Sequence, residues 1–85
     1  MQCLRTERFK KDFQQLPSAV QARAAKALEL FAVNPRHPSL QAKKMEGAAG
    51  IWELRVSDND RVTFQRFQGG ILLRRIGTHN ILRQP

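Results

Sequence analysis

The chain has 85 residues, a length that suits one small domain with a modest core. Its 15 lysines and arginines outnumber its 7 acidic residues, and the net charge of +8 favours a polyanionic partner, above all nucleic acid. A single cysteine, Cys3, excludes an intramolecular disulfide framework, and without a long apolar run or a signal-peptide core the sequence predicts a cytoplasmic protein with no membrane segment.

The N-terminal half predicts a short edge strand followed by a helical hairpin. Residues 2–5 are the candidate strand, and Thr6 is a suitable N-cap for the first helix. Ser18 and Gln21 have the spacing of a capping box for the second helix, which ends before Asn34 and the proline that follows it. Two apolar stripes at helical spacing, separated by Pro17, mark the buried faces: Phe9, Phe13 and Leu16, then Val20, Ala24, Ala27, Leu28 and Phe31.

Residues 34–50 read as a long connector that contains two prolines and two glycines. Leu40 and Met45 are the expected anchors into the core. The basic pair Lys43 and Lys44 has two interpretations, a solvated loop or a contact with phosphate.

Residues 51–82 predict three antiparallel strands joined by two tight turns. In the first strand, apolar residues alternate with polar ones from Trp52 onward; the second covers about residues 61–67 and the third residues 71–76. The sequence therefore predicts a single α+β domain over residues 1–85, a helical hairpin packed on a small, mainly antiparallel sheet in the order β-α-α-β-β-β.

The register of these strands predicts a basic face. If each turn spans three residues, Arg55 lies opposite Thr63 and Thr63 opposite Arg75. Arg55, Arg61 and Arg75 then share one face, while the apolar residues share the other. A two-residue second turn, or a bulge, would exchange Arg75 for Arg74 on the basic face.

The residues available for chemistry are few: two histidines, one cysteine and no tyrosine. The sequence predicts neither a metal site nor a cofactor, since Asp58 and Asp60 serve turn geometry. His79 together with arginines suits cleavage of RNA by attack of the 2′-OH on the adjacent phosphate, in which histidine transfers a proton and arginine stabilises the added negative charge. The alternative is that His79 is a polar surface residue.

The segments WELRV, DRVTFQ and RRIGTHNIL, in this order of elements, resemble the RelE/ParE superfamily of bacterial toxins. The R-x-G-T-H run is similar to the YafQ-type branch. The resemblance implies a RelE-like fold and the toxin of a type II toxin-antitoxin system. Such a toxin is a ribosome-dependent endoribonuclease that cuts mRNA in the A site and is held inactive by a cognate antitoxin.

The resemblance also implies roles for individual residues. The catalytic candidates are His79, Arg61 and Arg75. The candidates for contacts with RNA are Arg55, Lys43, Lys44 and Arg83, and His37 and Asp60 resemble further active-site positions. A second histidine of the YafQ branch is absent where Arg55 and Val56 stand, and the aromatic residue expected four positions after the GTH histidine is Arg83. The C-terminal tyrosine of RelE has no counterpart either.

Two other functions remain open from the sequence. One is a ParE-like inhibitor of DNA gyrase, and the other is an inactive basic member that only binds antitoxin or nucleic acid. The expected partners of the favoured function are the ribosome, mRNA and an antitoxin. A chain of charge +8 with a helical-hairpin surface predicts an acidic or amphipathic antitoxin.

Overall fold

Two helices pack against one face of a five-stranded mixed sheet in the computed structural model, which describes residues 2–85. The strands are β1 Gln2–Arg5, β2 Lys43–Lys44, β3 Trp52–Arg55, β4 Asp60–Phe67 and β5 Gly70–Thr78, and the helices are α1 Glu7–Gln14 and α2 Ser18–Val33. Two 3-10 helices cover Pro38–Leu40 and His79–Arg83. The sheet order is β1-β5-β4-β3-β2, with β1 parallel to β5 and the other pairs antiparallel. The predicted α+β fold with its helical hairpin is confirmed.

The start of each helix is fixed by a different contact. The Thr6 hydroxyl accepts a hydrogen bond from Phe9 N at 3.0 Å, as predicted for an N-cap, and donates to the Arg74 carbonyl at 2.7 Å. The predicted capping box of the second helix is wrong, because its N-cap is Pro17 and no side chain caps it. Gln21 Nε2 instead donates to the Phe13 carbonyl at 2.8 Å, which ties the two helices together.

The hydrophobic core lies between the helices and the sheet face that carries Leu54, Val62 and Phe64, here called the helix-side face. Phe31 of α2 meets Phe64 edge to face, with ring centroids 5.1 Å apart. The buried members of the core cluster are Phe9, Ala24, Ala27, Phe31, Leu40, Leu54, Val62, Phe64, Ile71, Leu73 and Ile76. The opposite sheet face, here called the open face, carries Arg55, Arg61 and Thr63.

The predicted pairing of β3 with β4 is wrong by two positions. Arg55 lies opposite Arg61 rather than Thr63. The turn is therefore centred on Asp58, one residue earlier than the predicted pairing requires. A shift by an even number of residues leaves each side chain on its own face, so the predicted separation of arginines from apolar residues holds.

The pairing of Thr63 with Arg75 is as predicted, although it arises in a different way. The turn between β4 and β5 contains only two residues, Gln68 and Gly69, because Phe67 pairs with Gly70. Gly69 has φ 94°, a conformation that favours glycine. A bulge between Thr63 and Phe64 then restores the register.

The extra residue of this bulge is Arg74, because Phe64 pairs with Leu73 and Thr63 with Arg75. The buried residues of β5 are Ile71, Leu73 and Ile76. The first two are two positions apart, and the bulge places the third one three positions further on. Neither Arg74 nor Arg75 therefore lies in the core. The sequence had left open which of the two belongs to the basic face, and the bulge removes the need to choose.

The two segments that the sequence left without structure contain further elements. Lys43 and Lys44 form an edge strand, so their interpretation as a loop is wrong. Residues His79–Arg83, beyond the last predicted strand, form a 3-10 helix, and Ile81 is only 6% exposed. A Cβ at Gly77 would lie 2.9 Å from Ile81 Cγ2, which shows that this helix folds back onto the open face. No helix within residues 2–85 has the length and apolarity to cross a membrane.

Candidate active site at one end of the sheet

The end of β3, the start of β4 and the end of β5 meet at one end of the sheet. Arg55 pairs with Arg61, and Asp60 pairs with Thr78. His79 follows Thr78 directly and begins the C-terminal 3-10 helix. The fold therefore brings four of the predicted site residues to this end: Arg55, Asp60, Arg61 and His79.

The two arginines hold the loop between β3 and β4. Arg61 Nη1 donates to the carbonyl oxygens of Ser57 at 2.6 Å, Asp60 at 2.9 Å and Asp58 at 3.4 Å. Arg55 Nη2 forms an ion pair with the Asp58 carboxylate. Both guanidinium groups thus rest on acceptors of the same loop, and their charge is partly compensated within the protein.

Asp60 stabilises this loop by hydrogen bonds that both its side chain and its backbone accept. Its side chain is buried, and Oδ2 accepts a hydrogen bond from Ser57 Oγ at 2.7 Å. Its carbonyl accepts from Val56 N at 3.0 Å and Ser57 N at 3.3 Å. These contacts give the predicted site residue Asp60 a positioning role for the arginines beside it.

His79 is exposed to solvent at the first position of the 3-10 helix. Thr78 Oγ1 caps this helix by accepting a hydrogen bond from Asn80 N at 3.4 Å. Among residues 2–85, none of the side-chain hydrogen bonds involves the imidazole of His79, whereas the burial of Ile81 two residues later fixes the segment. The imidazole is therefore accessible while its backbone is anchored.

Arg75 is bound on all sides by the protein. Its Nε donates to Asp12 Oδ2 at 3.0 Å and its Nη2 to Asp12 Oδ1 at 3.2 Å, and Nη1 donates to the Gln84 carbonyl at 3.3 Å. Burial acts to raise the pKa of Asp12, but the hydrogen bonds from Arg75 and from Ile76 N, together with the charge of Arg75, outweigh it and hold the pKa below 3.8. Arg75 thus links helix α1, strand β5 and the C-terminal segment.

Arg74 adds a second link to the same segment. Its Nη1 donates to Gln65 Oε1 at 2.6 Å, and Nε and Nη2 reach the Pro85 carbonyl at 3.3 and 3.2 Å. The bulge that turns Arg74 and Arg75 away from the core thereby lets both bind the backbone of the residues that follow the 3-10 helix. This arrangement holds the helix that carries His79.

Three further predicted residues lie outside this group of four: Lys43, Lys44 and Arg83. Lys43 pairs with Glu53 and Lys44 with Trp52, so the two lysines point to opposite faces of the sheet, and only Lys43 shares the open face with Arg55. Arg83 is exposed on the C-terminal 3-10 helix.

His37 lies away from this end of the sheet. Its Nδ1 accepts a hydrogen bond from Ser39 N at 3.2 Å and caps the 3-10 helix Pro38–Leu40. It borders a groove shared with Arg66, which lies six residues beyond Asp60 on β4, roughly 20 Å along an extended strand. His37 is therefore not brought together with His79.

A comparison with protein-family models and with curated proteins finds no match to this chain. Solved structures do match it over nearly its whole length. A chain of the RelB-RelE antitoxin-toxin complex from Methanococcus jannaschii has 20% identity and a TM-score of 0.75, with 95% of each chain covered. YafQ from E. coli has 14% identity and a TM-score of 0.80, with 95% of this chain and 96% of that chain covered. A YoeB/ParE toxin from Agrobacterium tumefaciens has 14% identity and a TM-score of 0.76, with 93% and 99% covered.

This chain has the fold of the RelE-like toxins. The fold that the sequence resemblance implied is thus confirmed. In this RelE-like fold the sequence missed two contacts that hold the site, the ion pair of Asp12 with Arg75 and the hydrogen bond of Gln65 with Arg74. Asp12 and Arg75 are 63 positions apart, and Asp12 stands among polar residues of an amphipathic helix, so no local pattern marks it.

The carboxylates of Asp12, Asp58 and Asp60 make contacts within the protein. Within the described residues, no group of three or more His, Cys, Asp or Glu side chains is placed to hold a metal ion. The side chains that the fold brings to this end of the sheet include the imidazole of His79 and the guanidinium groups of Arg55 and Arg61.

Proposed function

We propose that this protein is the toxin of a toxin-antitoxin pair and that it cleaves mRNA on the ribosome. The RelE-like fold supports this proposal, since structures with the same fold include RelB-RelE and DinJ-YafQ toxin-antitoxin complexes. The observation that carries it is the accessible imidazole of His79, which follows the strand position opposite Asp60 and lies at the same end of the sheet as the paired arginines 55 and 61.

Cleavage in this proposal begins with attack of the ribose 2′-OH on the adjacent phosphorus. The 2′-oxygen loses its proton as it bonds to phosphorus, the bond to the 5′-oxygen breaks, and the departing 5′-oxygen gains a proton. The products are a 2′,3′-cyclic phosphate and a 5′-hydroxyl end. His79 accepts or donates one of these protons, since imidazole is the side chain best suited to proton transfer near neutral pH.

Arg61 stabilises the negative charge that develops on the phosphoryl oxygens. Its guanidinium group donates to three neutral carbonyl oxygens and, within residues 2–85, to no carboxylate, so a doubly charged phosphorane is a stronger acceptor than its resting partners. Arg55 and Lys43, on the same face, contact the RNA backbone, and Arg83 extends this basic surface. Arg75 has a positioning role, because its donors are engaged by Asp12 and Gln84.

The first test is single-turnover cleavage on saturated ribosome complexes. We expect His79→Ala to lower the rate about 10²–10⁴-fold, the usual contribution of a general acid or base. Asn80→Ala is the matched control, because Asn80 is exposed beside His79 and only its backbone N–H takes part in the cap. Full activity in folded His79→Ala protein would assign the histidine to the surface and refute its catalytic role.

The second test separates Arg61 from His79. Arg61→Ala removes charge that acts on both the bound phosphate and the phosphorane, so we expect a lower rate and weaker ribosome binding, whereas His79→Ala changes the rate alone. Titration of ribosomes at several enzyme concentrations gives both quantities. Toxicity in cells without any cleavage of RNA would instead favour the gyrase inhibitor, and neither toxicity nor cleavage would favour an inactive binding protein.

The proposed partners are the ribosome with its mRNA and a cognate antitoxin in the cytoplasm. The net charge of +8 favours an antitoxin with acidic or amphipathic segments. Isolation of the natural partner checks this point, and a strongly basic partner would contradict it.

A further inference from the structure

A second basic groove lies away from the candidate active site. It has a volume of about 670 Å³ and is bordered by the segment after α2 and by strands β3 and β4, including Pro35, Arg36, His37, Pro38, Trp52 and Arg66. Trp52 and Arg66 belong to the helix-side face, since Trp52 pairs with Phe64 and Arg66 is two residues beyond it. The groove is thus on the other face of the sheet from Arg61 and at the other end of β4.

The charges in this groove are not compensated by the protein. Neither Arg36 nor Arg66 takes part in an ion pair within residues 2–85, and both are exposed. None of the residues that border the groove is acidic. This differs from the open face, where Arg55 and Arg75 each have an aspartate partner. An anion that enters the groove therefore meets guanidinium groups whose donors are available.

The groove also contains a flat platform for stacking. The Arg66 guanidinium carbon lies 4.5 Å from the centroid of the Trp52 ring, and Lys44 Nζ lies 5.7 Å from the same ring. Phe64 packs behind Trp52, with ring centroids 6.2 Å apart and an angle of 24° between the planes. Aromatic rings and guanidinium planes are the surfaces on which unpaired nucleobases stack.

His37 completes the polar side of the groove. Because its Nδ1 accepts the hydrogen bond from Ser39 N, a neutral ring carries its proton on Nε2 and can donate to a ligand. The segment after α2 thus contributes a histidine donor and Arg36 to the groove, and the strands contribute the stacked pair of Trp52 and Arg66.

We infer that this groove binds a nucleotide of single-stranded RNA. The base stacks on the Trp52–Arg66 pair, and the adjoining phosphate is bound by Arg36 and His37. The planar Trp52–Arg66 pair favours RNA over an acidic peptide as the ligand. A peptide carboxylate is attracted by the positive charges, but it has no planar group that stacks on the pair. The site is separate from the residues proposed for cleavage, so it can bind RNA whether or not the protein cuts it.

The test uses the fact that Trp52 is the single tryptophan of the chain, so its fluorescence reports on the groove directly. Titration of the intact protein with a short oligouridylate is expected to quench this emission. Anisotropy of a labelled oligouridylate measures the same affinity without relying on Trp52 emission, which the removal of Arg66 would itself change.

Three variants separate stacking from charge. We expect Arg66→Ala to weaken oligouridylate binding about tenfold, within the range of a lost stacking contact. Arg66→Lys keeps the charge but loses the plane, so we expect an intermediate loss of about threefold. Arg5→Ala is the matched control, since Arg5 is an exposed arginine on β1 at the other side of the sheet, and we expect less than a twofold change.

Two results would overturn the inference. Equal losses in Arg66→Ala and Arg5→Ala would mean that RNA binds through net charge alone. Full affinity in Arg66→Lys, together with competition by oligoglutamate as strong as that by oligouridylate, would mean that the groove is a site for acidic peptide. Circular dichroism confirms that each variant is folded, and His79→Ala, which leaves the groove intact, is expected to bind as the unmodified protein does. Loss of cleavage therefore leaves the inference standing, and loss of groove binding leaves the proposed function standing.

Discussion

Replacing Asp12 with asparagine removes the charge that Arg75 faces between helix α1 and strand β5. The carboxylate accepts two hydrogen bonds from the guanidinium group and a third from Ile76 N. Asparagine has nearly the same shape, but its amide offers a single oxygen and places an NH₂ group against the cation. The substitution thus leaves the Arg75 guanidinium without a counter-charge.

The cost follows from the burial of the pair. The side chains of Asp12 and Arg75 are only 10% and 16% exposed. Removal of one partner from a buried ion pair costs about 3–5 kcal/mol, and the remaining solvent contact and surviving acceptor reduce this to about 2–3 kcal/mol. A domain of this size loses about 4–8 °C in Tm per kcal/mol, so we expect Tm to fall by about 10–20 °C.

Glu7→Gln is the control, because Glu7 is an acidic residue of the same helix whose ion pair with Lys10 is largely exposed. We expect it to cost less than about 1 kcal/mol. The pKa of Asp12 is lowered in the folded protein, so its stabilisation is complete above the ordinary value of 3.8 and is lost as the pH falls through the folded value. Denaturant unfolding followed by circular dichroism at pH 7 and at a series of acidic pH values measures both effects. Equal losses in the two variants, or a gap between wild type and Asp12→Asn that does not narrow below about pH 4, would refute the reasoning.

Three further predictions concern other parts of the fold. Gly70→Ala places a Cβ 2.0 Å from the Gln2 carbonyl oxygen, so we expect β1 to separate from β5 with a loss of about 2 kcal/mol, seen as faster amide exchange in β1. Ile81→Ala should cost about 2–4 kcal/mol and also lower the cleavage rate, because Ile81 is 6% exposed and anchors the helix of His79, whereas Val33→Ala, at 85% exposure, should leave denaturant unfolding unchanged. Ribosome binding should fall steeply with salt, since phosphate contacts release counterions, and antitoxin binding through apolar surface should fall less; equal salt slopes would contradict this division.

Local signals in the sequence were sufficient for most elements. Each of these signals depends on a few neighbouring residues: the hydroxyl of Thr6, the position of Pro17 and the alternation of apolar and polar residues from Trp52 onward. The structure confirms the elements that they predict. The face on which each strand side chain lies was also predictable, because side chains alternate between the two faces along a strand. A pairing error of two positions leaves that assignment unchanged.

The remaining differences arise from contacts that join distant parts of the chain or compete with a local rule. The turn after β3 is centred one residue earlier than predicted, and Asp60 and Arg61 hold it there by hydrogen bonds to its backbone. The strand Lys43–Lys44 forms because β3 offers an open edge, although two lysines have low strand propensity. The two-residue turn and the bulge that compensates for it cancel in the final register, so no count of turn residues reveals either.

The distribution of compensated charge distinguishes the two basic regions of this protein. At the end of the sheet that carries His79, Arg55 and Arg75 are bound by aspartates and Arg61 by carbonyl oxygens, so a phosphate must displace or share existing acceptors. Such a site favours a ligand whose charge exceeds that of its resting partners, and the phosphorane of a cleavage reaction carries more charge than the ground-state phosphodiester. In the groove beside Trp52 the arginines have no carboxylate partner among residues 2–85, so the inferred binding needs only the charge of an ordinary phosphodiester. In the two proposals made above, the net charge of +8 serves two different tasks, binding of RNA in the groove and selective stabilisation of a transition state beside His79.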